Sequence, residues 1–400
     1  MHLPEMSSPS VARCVRTIRG EFIKGKTDFS RSRMAGEMTA DYDVIIIGAG
    51  PAGTAAAIQL AARDPGLAAR TLMIDRAVFP REKLCGGGVV RQADRLLSFL
   101  NVRVAVPSVP IDTVRFDYEG GSSTRHMPGA FRVVRRADFD AALLVAAKSR
   151  GIAASEGERV TGVRRESDCI RVITTRSEFR ARMLIGADGA SSLVRRSLVG
   201  GKQRKRFVAL EVLTDRRSNG SADGNGDTAA FDFRPTARGL RGYYWDFPCL
   251  HNGVPAMNRG VGGTHWPGDG GLQGLFSRQL KERGVSLNAD SLQGATIPLY
   301  DPYLPQSAER VVLAGDAVGV DPWLGEGISV AIGTGMIAAH AVVEAFETGD
   351  FSFRDHHRRI RNSAVGDELR RNRVVARSFY RWALQRGGLV PWLGLSEVAA

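Results

Sequence analysis

The 400-residue sequence predicts an α/β protein: a Rossmann-type dinucleotide-binding domain, an interleaved β-sheet substrate domain and a C-terminal helical tail. Three observations carry this. Asp43-Val-Ile-Ile-Ile-Gly-Ala-Gly-Pro-Ala-Gly53 reads as a buried strand, a glycine turn and a helix. Alternating stretches broken by turns at 103–135 and 203–295 read as sheet inserted into that domain. An Arg-rich helical pattern begins near residue 353. The chain therefore divides into an arm (1–40), the dinucleotide domain (41–102, 136–202 and 296–352), the substrate domain (103–135 and 203–295) and a helical segment (353–400).

Val44 to Ile47 are all β-branched, too short a run for a helix and suited to a strand buried on both faces. In Gly48-x-Gly50-x-x-Gly53 the first glycine permits the turn. The second admits a pyrophosphate to the backbone, and the third lets helix and strand pack closely. Thr54–Ala62 supplies the helix, whose free N-terminal amides can hold phosphate. Thr71–Ile74 is a second strand, closed by Asp75 about 20 residues past the glycines, where a ribose-binding acid belongs. Val44–Ala62 has the hydropathy of a membrane span, but three glycines and a proline inside it exclude one.

Cys85-Gly-Gly-Gly88 asks for more glycine than core packing needs and suits backbone lying against a flat or phosphorylated ligand, with a flexible loop as the alternative. Cys85 is either a small buried residue or a thiol near the reacting centre. A helix is predicted over Gln92–Leu100, then strands through Val104, Val106 and Val109, over Thr113–Tyr118 and over Phe131–Val134. Arg136–Lys148 is an amphipathic helix with Phe139, Leu143 and Ala146-Ala147 on one face. A hairpin (158–163 and 170–175) and a strand (179–185) lead into Gly186-Ala-Asp188-Gly-Ala-Ser-Ser192, ahead of a helix beginning near Ser191. That acid between small residues suits ribose or phosphate, or equally an Asp-Gly turn with a Ser cap.

Ser218–Asp227 is a Gly/Asn/Asp/Ser loop read as mobile. Arg241–Pro248 concentrates Tyr243, Tyr244, Trp245 and Phe247 in one strand, read as lining a flat or greasy pocket. Arg310–Leu313 is a short strand delivering Gly315-Asp316, and Gly325 and Gly327 open a helix over Ser329–Thr348. An aspartate there can accept a hydrogen bond from a ribose or ribityl hydroxyl, beside a helix start that favours negative charge.

Net charge is +13 and the pI about 10.1, with +3 in residues 1–40 and +6 in residues 351–400. Anionic partners follow, but no nucleic-acid motif or aromatic platform accompanies the charge, and nucleic acid is excluded. Cys14, Cys85, Cys169 and Cys249 form no CxxC pair, which fits a reduced cytoplasmic protein without a zinc site or disulfide framework. His356-His357 reads as a surface pair on a basic helix. No apolar h-region opens the chain, and residues 1–40 read as a disordered basic arm or an extension upstream of Met34 or Met38. Ala383–Leu395 turns apolar: a lid packed on the dinucleotide domain, or a peripheral contact with anionic lipid.

The order GxGxxG, Gly-Ala-Asp-Gly, Gly-Asp resembles the FAD-binding fold shared by aromatic hydroxylases and related flavoproteins. Within it the chain resembles the geranylgeranyl reductase family over residues 41–350. The marks are Phe79-Pro-Arg-Glu-Lys-Leu-Cys-Gly-Gly-Gly88, the Tyr-x-Trp-x-Phe-Pro of Tyr243–Pro248, and Asp321-Pro-Trp-Leu-Gly-Glu-Gly-Ile328. The resemblance implies contacts to FAD from Gly48, Gly50, Ala52, Gly53, Asp75, Gly86, Gly87, Arg136, Val160, Asp316, Gly327 and Ile328, with Asp188 as supporting structure. It implies Cys85, Tyr243 and Trp245 as active-site residues. The stretch after Pro248, Cys249–Met257, reads as longer and less regular than the family's usual short turn, which leaves the substrate open.

The implied activity is reduction of carbon–carbon double bonds in an isoprenoid or other apolar substrate by hydride from reduced flavin. The alternatives are a monooxygenase hydroxylating an aromatic or polyketide-like compound, and a non-catalytic flavin-binding redox partner. No second GxGxxG unit is visible, so electrons come from transiently bound NAD(P)H or from a reduced redox protein.

Overall fold

The computed structural model describes residues 40–216, 227–266, 268, 270–287 and 291–386. The arm before Ala40, the expected mobile loop up to Gly226 and the apolar tail beyond Arg386 lie outside them.

The chain opens as its glycine fingerprint predicts. Strand β1 (Tyr42–Ile47) runs through the glycine turn into α1 (Pro51–Arg63), then a short α2 (Pro65–Ala69) and β2 (Thr71–Ile74). Strand β1 pairs parallel with β2, and all four residues of β2 are buried, which is why both read as unbroken apolar runs. A long loop (75–87) leads to β3 (Gly88–Val90), α3 (Arg91–Phe99) and the hairpin β4 (Ser108–Tyr118) and β5 (Gly121–Val134). Then come α4 (Arg136–Lys148), β6 (Ala153–Ser155), the hairpin β7 (Val160–Arg165) and β8 (Ile170–Thr174), and β9 (Glu178–Gly186).

The second long excursion holds β10 (Arg206–Asp215), β11 (Thr228–Asp232), β12 (Gly242–His251), β13 (Val254–Gly263), α5 (Gly271–Glu282) and β14 (Gln293–Pro298). Strands β15 (Ser307–Ala308) and β16 (Val311–Leu313) bring the chain back, and α6 (Ile328–Thr348), α7 (His356–Arg361) and α8 (Ala364–Arg386) finish it.

Two eight-stranded sheets result. The first has the order β15-β16-β9-β1-β2-β6, with β7 and β8 continuing from β9. Its β16, β9, β1, β2 and β6 are parallel, so the carboxyl ends of β1, β2, β9 and β16 share one edge. The second has the order β14-β10-β13-β12-β11-β4-β5-β3. Helices α1, α4 and α6 share one apolar core on the first sheet. Helix α6 is long and apolar enough to cross a membrane (mean hydropathy 1.6), but 78% of that stretch is buried inside the protein.

Several local expectations change. Val104 and Val106 belong to an irregular segment, and the strand starts at Ser108; Val104 is buried in the core around α1, so its apolar spacing reflects that core rather than a sheet. The expected helix near Ser191 is short, covering 193–199, and its last five residues form a π-helical turn (Arg195–Val199). The stretch after Pro248 is regular: β12 and β13 pair through His251↔Val254 across a two-residue Asn252-Gly253 turn. Both turn residues have positive φ, 52° and 79°, the geometry that Asn-Gly favours in tight hairpins. His356 is fully buried, with Nε2 3.4 Å from the Leu313 carbonyl, and only His357 is exposed. Burial pushes the His356 pKa down to about 4.

Candidate active site

The carboxyl edge of the first sheet gathers the three sequence anchors. Gly48 ends β1 with φ of 105°, and a Cβ there would lie 2.2 Å from the Ala187 carbonyl oxygen. A Cβ on Gly53 would lie 1.8 Å from the carbonyl of Gly48. The fingerprint therefore fits its steric explanation. Gly50 caps α1 without a side-chain hydrogen bond, leaving the first helical amides free. Across from Gly50 stands Arg81, the nearest neighbour a Cβ there would meet, at 3.5 Å. Arg81 pairs with Asp140 at 2.9 Å, yet its Nη1 is buried and has no partner among the described residues. Free helix amides and an orphaned guanidinium nitrogen are what a pyrophosphate would satisfy, and on that ground the residues fit a dinucleotide.

Asp75 accepts from the amides of Ala49 (2.7 Å) and Ala77 (2.8 Å), which ties the acid to the glycine turn. Val160 stands two residues beyond Glu158, whose amide donates to the Asp75 carbonyl. Gly315 lies against Ala52, so the turn carrying Asp316 meets the start of α1. Asp316 pairs with Lys83 at 3.3 Å, and Gly327 and Ile328 open α6 beside it. Asp188 is partly buried and accepts from the Val194 amide at 3.0 Å, a brace for its own loop.

The loop after Asp75 crosses to the second sheet. Gly86 lies on Phe247 and Trp245: a Cβ would be 3.2 Å from the Phe247 ring and 3.4 Å from Trp245 Nε1. Gly87 has φ of 76°, with the Val134 carbonyl where a Cβ would be. Close packing against the protein itself thus explains these two glycines, contrary to the expectation that packing could not. Cys85 is partly exposed and sits beside Arg136. Arg136 makes a two-point pair with Asp140 (2.8 and 2.9 Å). Burial works against the Arg136 charge, but Asp140 and then Cys85 outweigh it, and its pKa lies above the ordinary value.

The pleat of β12 divides the aromatic strand. Tyr243, Trp245 and Phe247 face the loop, whereas Tyr244 points to the opposite face, packed with Phe276 of α5. Alternation makes this unavoidable, and the expected group of four is three. The Tyr243 hydroxyl donates to the Leu324 carbonyl at 2.5 Å, and Trp245 Nε1 donates to Asn258 Oδ1 at 2.7 Å. Gly260 on β13 leaves room for the Trp245 ring, which lies 2.1 Å from where its Cβ would be.

Comparison with known proteins now bears on this geometry. A family model described as an FAD binding domain matches residues 41–240. A menaquinone reductase of Mycobacterium tuberculosis is 31% identical over 317 residues, covering 74% of this chain and 75% of that protein. A geranylgeranyl diphosphate reductase of Rhodobacter capsulatus is 29% identical, covering 77% of this chain and 76% of that one. The chain belongs to the geranylgeranyl reductase family of FAD-dependent oxidoreductases. A solved geranylgeranyl bacteriochlorophyll reductase-like protein of Thermoplasma acidophilum shares the fold, with a TM-score of 0.69 at 22% identity over 85% of this chain and 87% of that one.

In this geranylgeranyl reductase family member, FAD is the dinucleotide that the helix amides and Arg81 fit. Sequence reasoning missed Arg81, Lys83, Asp140, Glu211 and Asn258. Arg81 and Lys83 lay inside a quoted motif but were read only as part of its signature. Glu211 did leave a signal: it occupies the position in Phe207-Val-Ala-Leu-Glu211 where alternation calls for a buried apolar residue. A cavity of about 690 Å³ between Pro305–Arg310 and Gly349–Arg354 opens at the other end of β16 and contains none of these residues.

Proposed function

We propose that this flavoprotein reduces carbon–carbon double bonds in an isoprenoid or similarly apolar molecule. One observation carries the reading: the Cys85–Gly86 segment leaves the dinucleotide edge and lies on the rings of Trp245 and Phe247. The polar atoms of the two rings are already committed, Tyr243 to Leu324 and Trp245 to Asn258, so these rings offer carbon edges to a greasy chain. The relatives named for menaquinone and geranylgeranyl diphosphate support it, since both compounds carry prenyl chains.

Bound FAD would supply hydride, refilled from NAD(P)H or a reduced redox protein. Gly48, Gly50, Ala52, Gly53 and Arg81 would hold its pyrophosphate, Asp75 and Val160 would line one end of its site, and Asp316, Gly327 and Ile328 the other. Gly86, Gly87 and Arg136 would border the flavin beside Cys85. Tyr243 and Trp245 would orient the substrate and keep water out. Cys85, at the meeting point, is the candidate active-site thiol.

The test incubates enzyme reduced with dithionite in the absence of oxygen with geranylgeranyl diphosphate and weighs the product. A gain of two hydrogens per double bond supports the proposal. A product carrying added oxygen, formed only when air is admitted, would replace it with the monooxygenase.

A further inference from the structure

Glu211 shares the aromatic face of the second sheet with Phe207 and Ala209 of β10, and it is 8% exposed. Its Oε1 accepts from the Cys85 amide at 3.1 Å. Its Oε2 is buried and makes no hydrogen bond among the described residues. Asn258 completes the clamp: its Nδ2 donates to the Cys85 carbonyl at 3.3 Å while its Oδ1 holds Trp245. Both polar groups of the Cys85 peptide are thus gripped by side chains of the second sheet.

A carboxylate with one bare oxygen in such a place is costly, and a proton on that oxygen relieves the cost. Burial pushes the Glu211 pKa up to about 7, with the Cys85 amide, the Asn258 side chain and the Arg136 charge acting in the opposite direction. The other ionisable group facing it is the Cys249 thiol. Its register partners, Gly260 on β13 and Gln293 on β14, carry no charge.

We propose that Glu211 holds the Cys85–Gly86 segment through Oε1 and keeps an exchangeable proton at Oε2 for the reaction at that segment. The proposal rests on the reductase reading for its use of the proton. Hydride addition to one alkene carbon moves the π electron pair to the other carbon, which forms its new C–H bond with a proton. Glu211 gives up that proton, becomes the carboxylate, and is refilled from solvent.

Glu211→Gln keeps the shape and the acceptor for the Cys85 amide but cannot titrate; Glu211→Ala removes both. Infrared spectroscopy of the oxidised, FAD-loaded protein, without turnover, reads the protonated carboxyl stretch across neutral pH. Because Glu326 is also pushed up to about 7, the difference spectrum between wild type and Glu211→Gln is read, and it should show a carboxyl band titrating near about 7. In the anaerobic assay, wild-type kcat should fall about tenfold per pH unit above that midpoint. Glu211→Gln should lose this limb and about a hundredfold in kcat, with KM little changed.

A purely structural residue predicts a Gln variant that keeps the wild-type pH profile, and that result overturns the proposal. So does a difference spectrum without the band. If wild type reduces no double bond, the reductase reading fails by itself, and the infrared titration still decides whether Glu211 holds the proton.

Discussion

The two faces of the second sheet bury acids in opposite ways. Toward α5, every carboxylate oxygen of Asp232 and Asp246 has a partner. Arg283 reaches Asp246 at 2.7 Å and Asp232 at 2.8 Å and lies 3.9 Å over the Tyr244 ring, while Arg259 and Arg234 complete the set. Burial alone would raise the Asp232 pKa, but hydrogen bonds from Arg234 and Arg283 reverse it, and the net shift is downward. On the aromatic face Glu211 has one amide and no ion pair, and there burial wins. The strands and depth are similar, so the difference lies in the partners. Acids with full sets of partners hold the sheet together, whereas the acid with an open oxygen faces the segment where chemistry is expected.

The largest effect should come from breaking the α5 face. Arg283→Ala leaves two buried carboxylates short of their cation and should cost about 3–5 kcal/mol by denaturant unfolding. A loss below about 1 kcal/mol would mean that the network is not what holds this face.

Next is Glu211→Gln. Because the Glu211 pKa is raised from 4.5 to about 7, its stability contribution is complete below about pH 4.5 and lost as pH rises through about 7. Wild type should lose on the order of 3 kcal/mol over that window relative to the Gln variant, measured by parallel denaturant curves. Asp232 has the opposite sign: its contribution is present at neutral pH and lost as pH falls below its ordinary 3.8. Equal slopes for wild type and Glu211→Gln would erase the contrast between the faces.

Arg81 also keeps an open polar atom, its Nη1 having no partner among the described residues. Arg81→Gln should weaken FAD binding about tenfold by flavin fluorescence titration, while leaving the melting of the FAD-free protein nearly unchanged. The smallest effect is Tyr243→Phe, which removes the bond to Leu324 and should cost about 1 kcal/mol by denaturant unfolding.

Much of the dinucleotide edge was legible because its cause is local. The β-branched run Val44–Ile47, the glycine turn and Asp75 each follow from neighbours a few residues away, and Gly315-Asp316 followed from a short strand ending in small residues. The aromatic strand was legible as a strand but not as two faces until its pleat was placed, which moved Tyr244 away from the site. The glycines at 86 and 87 were misread because their neighbours, Trp245, Phe247 and Val134, are distant in sequence. His356 looked like a surface residue for the same reason: the Leu313 carbonyl beside it belongs to a strand 43 residues earlier.

From the residues alone came a strand–turn–helix that binds a dinucleotide, two stretches of sheet inserted into it, and a resemblance that pointed to FAD. These depend on backbone sterics and short-range periodicity, which a linear chain displays. The pairings of Arg81 with Asp140, of Glu211 with the Cys85 amide and of Asn258 with Trp245 depend on side chains separated by 59, 126 and 13 residues. Burial decides whether such groups carry charge, and burial exists only once the two sheets have folded around the loop between them.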